Sequence, residues 1–91
     1  MNITDGLNLL TREEVGLAAF KLVNILQDEK PPVQLAATAA LFVVMMEVFG
    51  TDPREELARA ERVMKDADKN WNYMFNSIRA YIEGELKRGG N

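Results

Sequence analysis

The 91-residue chain contains no cysteine and no histidine. Without cysteine it has no disulfide, no thiolate nucleophile and no thiolate metal site. Without histidine it lacks the most common general base and the most common metal ligand. These absences argue against an enzyme, and we expect no catalytic, cofactor-binding or metal-binding residues.

An excess of positive charge is also missing. The chain has 11 Lys and Arg residues against 14 Asp and Glu residues, a net charge of −3. This balance argues against a protein built mainly to bind nucleic-acid phosphates. Hydrophobic residues make up 47% and charged residues 27%, close to the average of soluble globular proteins. The length fits one domain that spans residues 1–91.

Targeting signals are scarce as well. The first ten residues have no basic segment, and Asp5 lies where a signal peptide would carry Lys or Arg. Together with the missing cysteines, this predicts a cytoplasmic protein. The one long apolar run, residues 33–49, is shorter than the about 20 residues that a membrane span needs. We therefore interpret it as a core helix and do not favour a membrane partner.

Three helices are predicted from capping residues and apolar spacing. Thr11 and Glu14 form a capping box before the first helix. Consecutive prolines end that helix, and Gly50 ends the second. Asp52 followed by Pro53 begins the third. The predicted bounds are about 12–29, 32–49 and 53–88, with residues 1–10 as an N-terminal segment and 89–91 as a tail.

The second predicted helix is apolar on nearly every side, which is typical of the most buried element of a fold. Glu47 is its one charged residue. A buried carboxylate would need a partner or a raised pKa. The alternative is that Glu47, which lies close to the helix end, points outward.

The third helix carries a heptad seam of apolar residues without a slip, as in a coiled coil. These residues are Leu57, Ala60, Met64, Ala67, Trp71, Met74, Ile78 and Tyr81. The seam predicts that the third helix is continuous. The predicted fold is therefore all-α, with a hairpin of the first two helices plus one long C-terminal helix. The alternative is a break near residues 68–70, with Asp68 as a new cap, which would give a monomeric four-helix bundle.

A continuous third helix would be about 54 Å long, and two helices of about 27 Å cannot cover it. We therefore expect a homodimer that completes the helical bundle. The expected interface consists of Trp71, Met74, Phe75, Ile78, Tyr81 and Ile82. The predicted function is that of a small, non-enzymatic helical protein that acts in protein-protein interaction or assembly. As an accessory protein of this kind, it would form a homodimer and bind a further protein.

An alternative function rests on a basic stripe opposite the seam. Its charged members are Arg62, Lys65, Lys69 and Arg79. Such a stripe could follow a phosphate backbone, as in an auxiliary nucleic-acid-binding module. Five basic and five acidic residues between positions 54 and 69 cancel, however, which is typical of a solvated outer face.

Overall fold

The computed structural model describes residues 2–70 and 72–86, and every regular element within them is helical. The predicted all-α class is therefore confirmed. A short helix, α1, lies within the N-terminal segment. The α-helices are α1 Ile3–Asn8, α2 Arg12–Ile25, α3 Pro31–Phe49, α4 Pro53–Lys69 and α5 Met74–Tyr81, with a 3₁₀ turn at Leu26–Asp28 and a π-helical turn at Ile82–Leu86.

Three of the predicted helix ends follow from local hydrogen bonds and backbone geometry. Thr11 Oγ1 accepts from the Glu14 amide at 3.1 Å, and Glu14 Oε1 accepts from the Thr11 amide at 3.3 Å, which completes the capping box. Gly50 ends α3 in the left-handed region, with φ of 70°. Asp52 Oδ1 accepts from the Arg54 amide at 2.9 Å and caps α4. The predicted caps are confirmed.

The C-terminal segment is not the continuous helix from 53 to 88 that the heptad seam predicts. α4 ends at Lys69, and α5 begins at Met74. Asn70 Nδ2 donates to a carbonyl oxygen one turn earlier at 2.8 Å, and Asn72 Oδ1 accepts from the Met74 amide at 2.9 Å. Asparagine side chains that bond the backbone in this way compete with a continuing helix. The prediction of one long helix is wrong.

This break removes the length mismatch from which we expected a dimer. At 17 and 8 residues, α4 and α5 are about 26 Å and about 12 Å long. The alternative with a break near 68–70 placed it correctly, although Asp68 remains inside α4. Asn72, one residue before the N-cap residue Tyr73, accepts from the Met74 amide. The predicted helix end at 88 and the tail at 89–91 lie outside the described residues.

Helices α2, α4 and α5 pack into one unit, which we name the body. Its buried apolar residues, among those described, are Val23, Ala67 and Phe75. Helix α2 lies against α5, and Gly16 lets the two approach, since a Cβ there would lie 2.6 Å from Met74 Cγ. The body therefore joins segments that precede α3 to segments that follow it.

Helix α3 lies largely outside the body. Gln34 is its one buried residue, and Leu35 and Val48 are each 76% exposed. The radius of gyration is 14.0 Å, against about 12 Å for a compact domain of this length. The prediction that this helix is the most buried element is wrong, because too little of the body reaches it.

Candidate functional site

The main candidate site is an apolar groove between α3 and the body. Its volume is about 430 Å³, and α2, α3, α5 and the π-helical turn form its walls. Its lining residues are Ala19, Leu22, Val23, Leu26, Pro31, Gln34, Leu35, Thr38, Ile78 and Ile82. A concave apolar surface of this size is typical of a site that takes an apolar occupant.

The two polar side chains that line the groove already have partners. Gln34 Nε2 donates to the carbonyl oxygens of Leu26 at 3.0 Å and Glu29 at 2.7 Å. Thr38 Oγ1 donates to the carbonyl oxygen of Gln34 at 2.7 Å. Because these donors are satisfied within the chain, the groove presents mainly apolar surface to an occupant.

Gln34 also holds α3 to the end of α2. Its side chain is 8% exposed, and its two acceptors lie in the turn that connects the helices. Sequence reasoning did not select this residue as functional. The available signal was a polar residue in the first turn of an otherwise apolar helix.

The sides of α3 differ in side-chain size. The side that lines the groove at Leu35 and Thr38 continues along the helix at spacings of three and four residues. We name this side the bulky face; it consists of Leu35, Thr38, Leu41, Phe42, Met45 and Phe49. The opposite side, the small face, consists of Val33, Ala36, Ala40, Val43, Val44 and Glu47.

Only the N-terminal half of the bulky face lines the groove. Farther along the helix, Leu41 is 50% exposed, Met45 43% and Phe49 49%. Glu47 is exposed, as in the outward alternative. Helix α3 thus presents a mostly apolar surface, and its C-terminal half extends beyond the groove that its N-terminal half lines.

The expected interface residues on the C-terminal segment contribute in part to the body. Phe75 is 7% exposed, and Met74 packs beside Gly16. Ile78 and Ile82 line the groove, so an interface at these two positions stays a prediction. Trp71 lies outside the described residues.

Tyr81, another of the expected interface residues, contacts α2 and the turn that follows it. Its ring centroid lies 5.8 Å from that of Phe20, with the planes tilted by 57°. Its hydroxyl donates to Gln27 Oε1 at 2.8 Å. The aromatic body and the polar edge of Tyr81 are therefore both used within the chain.

The basic stripe is divided between two helices. Arg62, Lys65 and Lys69 are exposed on α4, and Arg79 lies on α5. Arg79 Nη2 lies 3.6 Å from Asp68 Oδ2, so one of its four charges is paired with a carboxylate. No observation favours this stripe as a nucleic-acid site, and the alternative function stays a prediction.

A second cavity, of about 320 Å³, lies between the start of α2 and α4 and contains charged side chains. Arg12 Nη1 donates to Asp66 Oδ2 at 2.8 Å, and this hydrogen bond raises the pKa of Arg12 above its usual value. The ion pair links α2 to α4. Among the described residues, no group of three or more acidic side chains could hold a metal ion.

One helix in the described part of the chain, Pro31–Phe49, is long and apolar enough to cross a membrane, by length and composition alone. No protein-family model, curated protein or solved structure matches this chain. Its function is therefore argued from the exposed helix and the groove beside it.

Proposed function

We propose that this protein is a small helical assembly protein that associates with a second copy of itself through α3. The observation that carries the proposal is that α3 is apolar on nearly all sides and yet has only one buried residue. Covering the apolar surface of such a helix removes it from water and lowers the free energy. Large exposed apolar surfaces on soluble proteins usually mark interaction sites.

The contacts of the body favour protein over a lipid bilayer as the cover. A span through α3 would place the preceding and following segments on opposite sides of a membrane. It would separate Gly16 from Met74, and Arg12 from Asp66, pairs that the body holds in contact. To preserve them, α4 would have to cross back through the bilayer with its many charged residues, at a high free-energy cost.

The size of α3 also suits a dimer. A cylinder about 10 Å wide and about 28 Å long has a side surface of about 900 Å². Two copies together offer about 1,800 Å². A stable and specific interface buries about 1,200–2,000 Å² in total, so α3 supplies enough surface if most of its circumference is covered.

The test is the molar mass of the full chain in solution, measured by size-exclusion chromatography with light scattering. We expect a dimer at about 10 μM, the range in which a micromolar affinity is visible. Leu41→Lys places a charge on α3 and should weaken the dimer about 10-fold or more. Leu57→Lys is the matched control, since Leu41 is 50% and Leu57 54% exposed; this variant should remain dimeric.

Two outcomes would overturn the proposal. One is a wild-type chain that remains a monomer at about 100 μM, ten times the expected working concentration. The other is flotation of the monomer with phospholipid vesicles, lost in Leu41→Lys but retained in Leu57→Lys. That result would assign α3 to a membrane surface instead of a second copy.

A further inference from the structure

Each chain carries both an apolar groove and an apolar half-helix that extends past it. The groove lies beside the N-terminal half of α3, at Leu35 and Thr38. The exposed half carries Leu41, Met45 and Phe49 on the same bulky face. Both features are apolar. One chain cannot join them, because the exposed half continues the same rigid helix that forms one wall of the groove.

A two-fold axis near the middle of α3 would join them between two copies. An antiparallel pair of α3 helices places the C-terminal half of each beside the N-terminal half of the other. The contact is then self-complementary, as a two-fold interface requires. A parallel pair would instead place C-terminal halves together and leave both grooves empty.

The area that must be covered supports this arrangement. Contact along one side of each α3 helix alone would bury about 900 Å², less than the about 1,200 Å² at the lower end of stable interfaces. An α3 half that enters the other copy's groove is covered on further sides by α2 and α5. The groove therefore supplies the additional buried surface.

We propose that two copies pair in antiparallel fashion across the bulky face of α3, so that Leu41, Met45 and Phe49 of each copy occupy the groove of the other. The proposal rests on the self-association proposed above and names its geometry. The satisfied donors of Gln34 and Thr38 suit this occupant, because the three side chains offer only the weak thioether acceptor of Met45. Methionine at the centre adapts to an irregular apolar surface.

The absence of native cysteine permits a direct test by disulfide cross-linking of full-length single-cysteine variants. We would mix Leu35→Cys with Met45→Cys, oxidise the mixture and identify the linked peptides by mass spectrometry. The two positions are equidistant from residue 40, the middle of α3. A disulfide needs Cα atoms roughly 4.4–6.8 Å apart, so the linkage reports the register directly.

The expected result is a 35–45 disulfide in the mixture, in large excess over 35–35 and 45–45 disulfides. Thr38→Cys mixed with Phe42→Cys is a second pair about the same centre and covers the case in which one variant misfolds. Ala40→Cys, on the small face, is the control and should not link to Leu35→Cys.

The outcomes separate the geometry from the self-association. A dimeric wild type that gives 35–35 and 45–45 disulfides instead would overturn the antiparallel geometry and leave the proposed function in place. A dimer that links through Ala40→Cys would do the same, because it would use the small face. A monomeric wild type would overturn both.

Discussion

Gly16 of α2 and Met74 of α5 are so close that an ideal Cβ on Gly16 would lie 2.6 Å from Met74 Cγ. The same Cβ would lie 3.2 Å from Met74 Cβ, which is bonded to the backbone and cannot rotate away. This glycine sets the distance between two helices of the body. Phe75, the residue after Met74, is buried in that contact.

Gly16→Ala should therefore destabilise the protein, although alanine is the better helix former. Crowding against Met74 should cost about 1–3 kcal/mol, more than the gain in helix propensity of about 0.5–1 kcal/mol. Gly6→Ala is the control, because nothing lies within 4 Å of a Cβ built on Gly6 in α1. Urea unfolding should show a lower free energy of unfolding for Gly16→Ala and an unchanged or higher one for Gly6→Ala. Equal stabilisation by both substitutions would contradict the close approach.

Gln34→Leu tests the hydrogen bonds that hold α3 to the end of α2. The substitution leaves the carbonyl oxygens of Leu26 and Glu29 without their side-chain donor, which should cost about 1–3 kcal/mol. Gln27→Leu is a matched control, because its one bond, to the Tyr81 hydroxyl, is exposed and should cost less than about 1 kcal/mol. Thermal and urea unfolding would compare the two variants. A larger loss for Gln27→Leu would show that Gln34 does not anchor α3.

Asn72 is expected to stabilise the start of α5 through its bond to the Met74 amide. Asn72→Ala removes the acceptor and should lower the free energy of unfolding by about 0.5–1.5 kcal/mol. Asn72→Asp keeps a side-chain oxygen in the same place and should retain most of the stability. If the alanine variant is as stable as wild type and gains helical circular dichroism, a continuous helix is the better description of this segment.

Ionic strength separates self-association through α3 from nucleic-acid binding through the basic stripe. Glu47 is the one charged residue of α3, so dimerisation should change little between about 50 mM and about 500 mM salt. Sedimentation at both salt concentrations would measure this. A steep loss of dimer with salt would indicate an interface built on charge.

The basic stripe has its own test in the double substitution Lys65→Glu and Lys69→Glu. Because carboxylates lie among these lysines, we expect wild type to give no mobility shift with labelled DNA or RNA at low salt. A salt-dependent shift that the double substitution abolishes would favour the alternative function.

How far the sequence predicted the fold depended on the range of the interactions involved. The capping box at Thr11 and Glu14 and the stop at Gly50 could be predicted because each involves neighbouring residues. The break before α5 was predicted only as the alternative, because the heptad seam continues through it while two asparagine side chains bond the backbone. Periodicity detects which face is apolar, but it does not detect this local competition.

The candidate site was less predictable than the helices. The composition of α3 was clear, and from it we expected burial within one chain. The groove and the anchoring role of Gln34 depend on how α2, α3 and α5 meet, and no local pattern encodes that meeting. The sequence predicted an apolar helix that other surfaces must cover, but it did not predict which surfaces lie beside it.

The sequence by itself determined the all-helical class, the caps at Thr11, Gly50 and Asp52 and the apolar character of α3, because propensity, capping and composition act over a few residues. The tertiary structure alone decided that α2 packs on α5 across Gly16 and that α3 remains uncovered beside a groove. Those outcomes depend on contacts between residues far apart in the chain. The packing of α2 on α5 and the shape of the groove depend on how the side chains of different helices fit together.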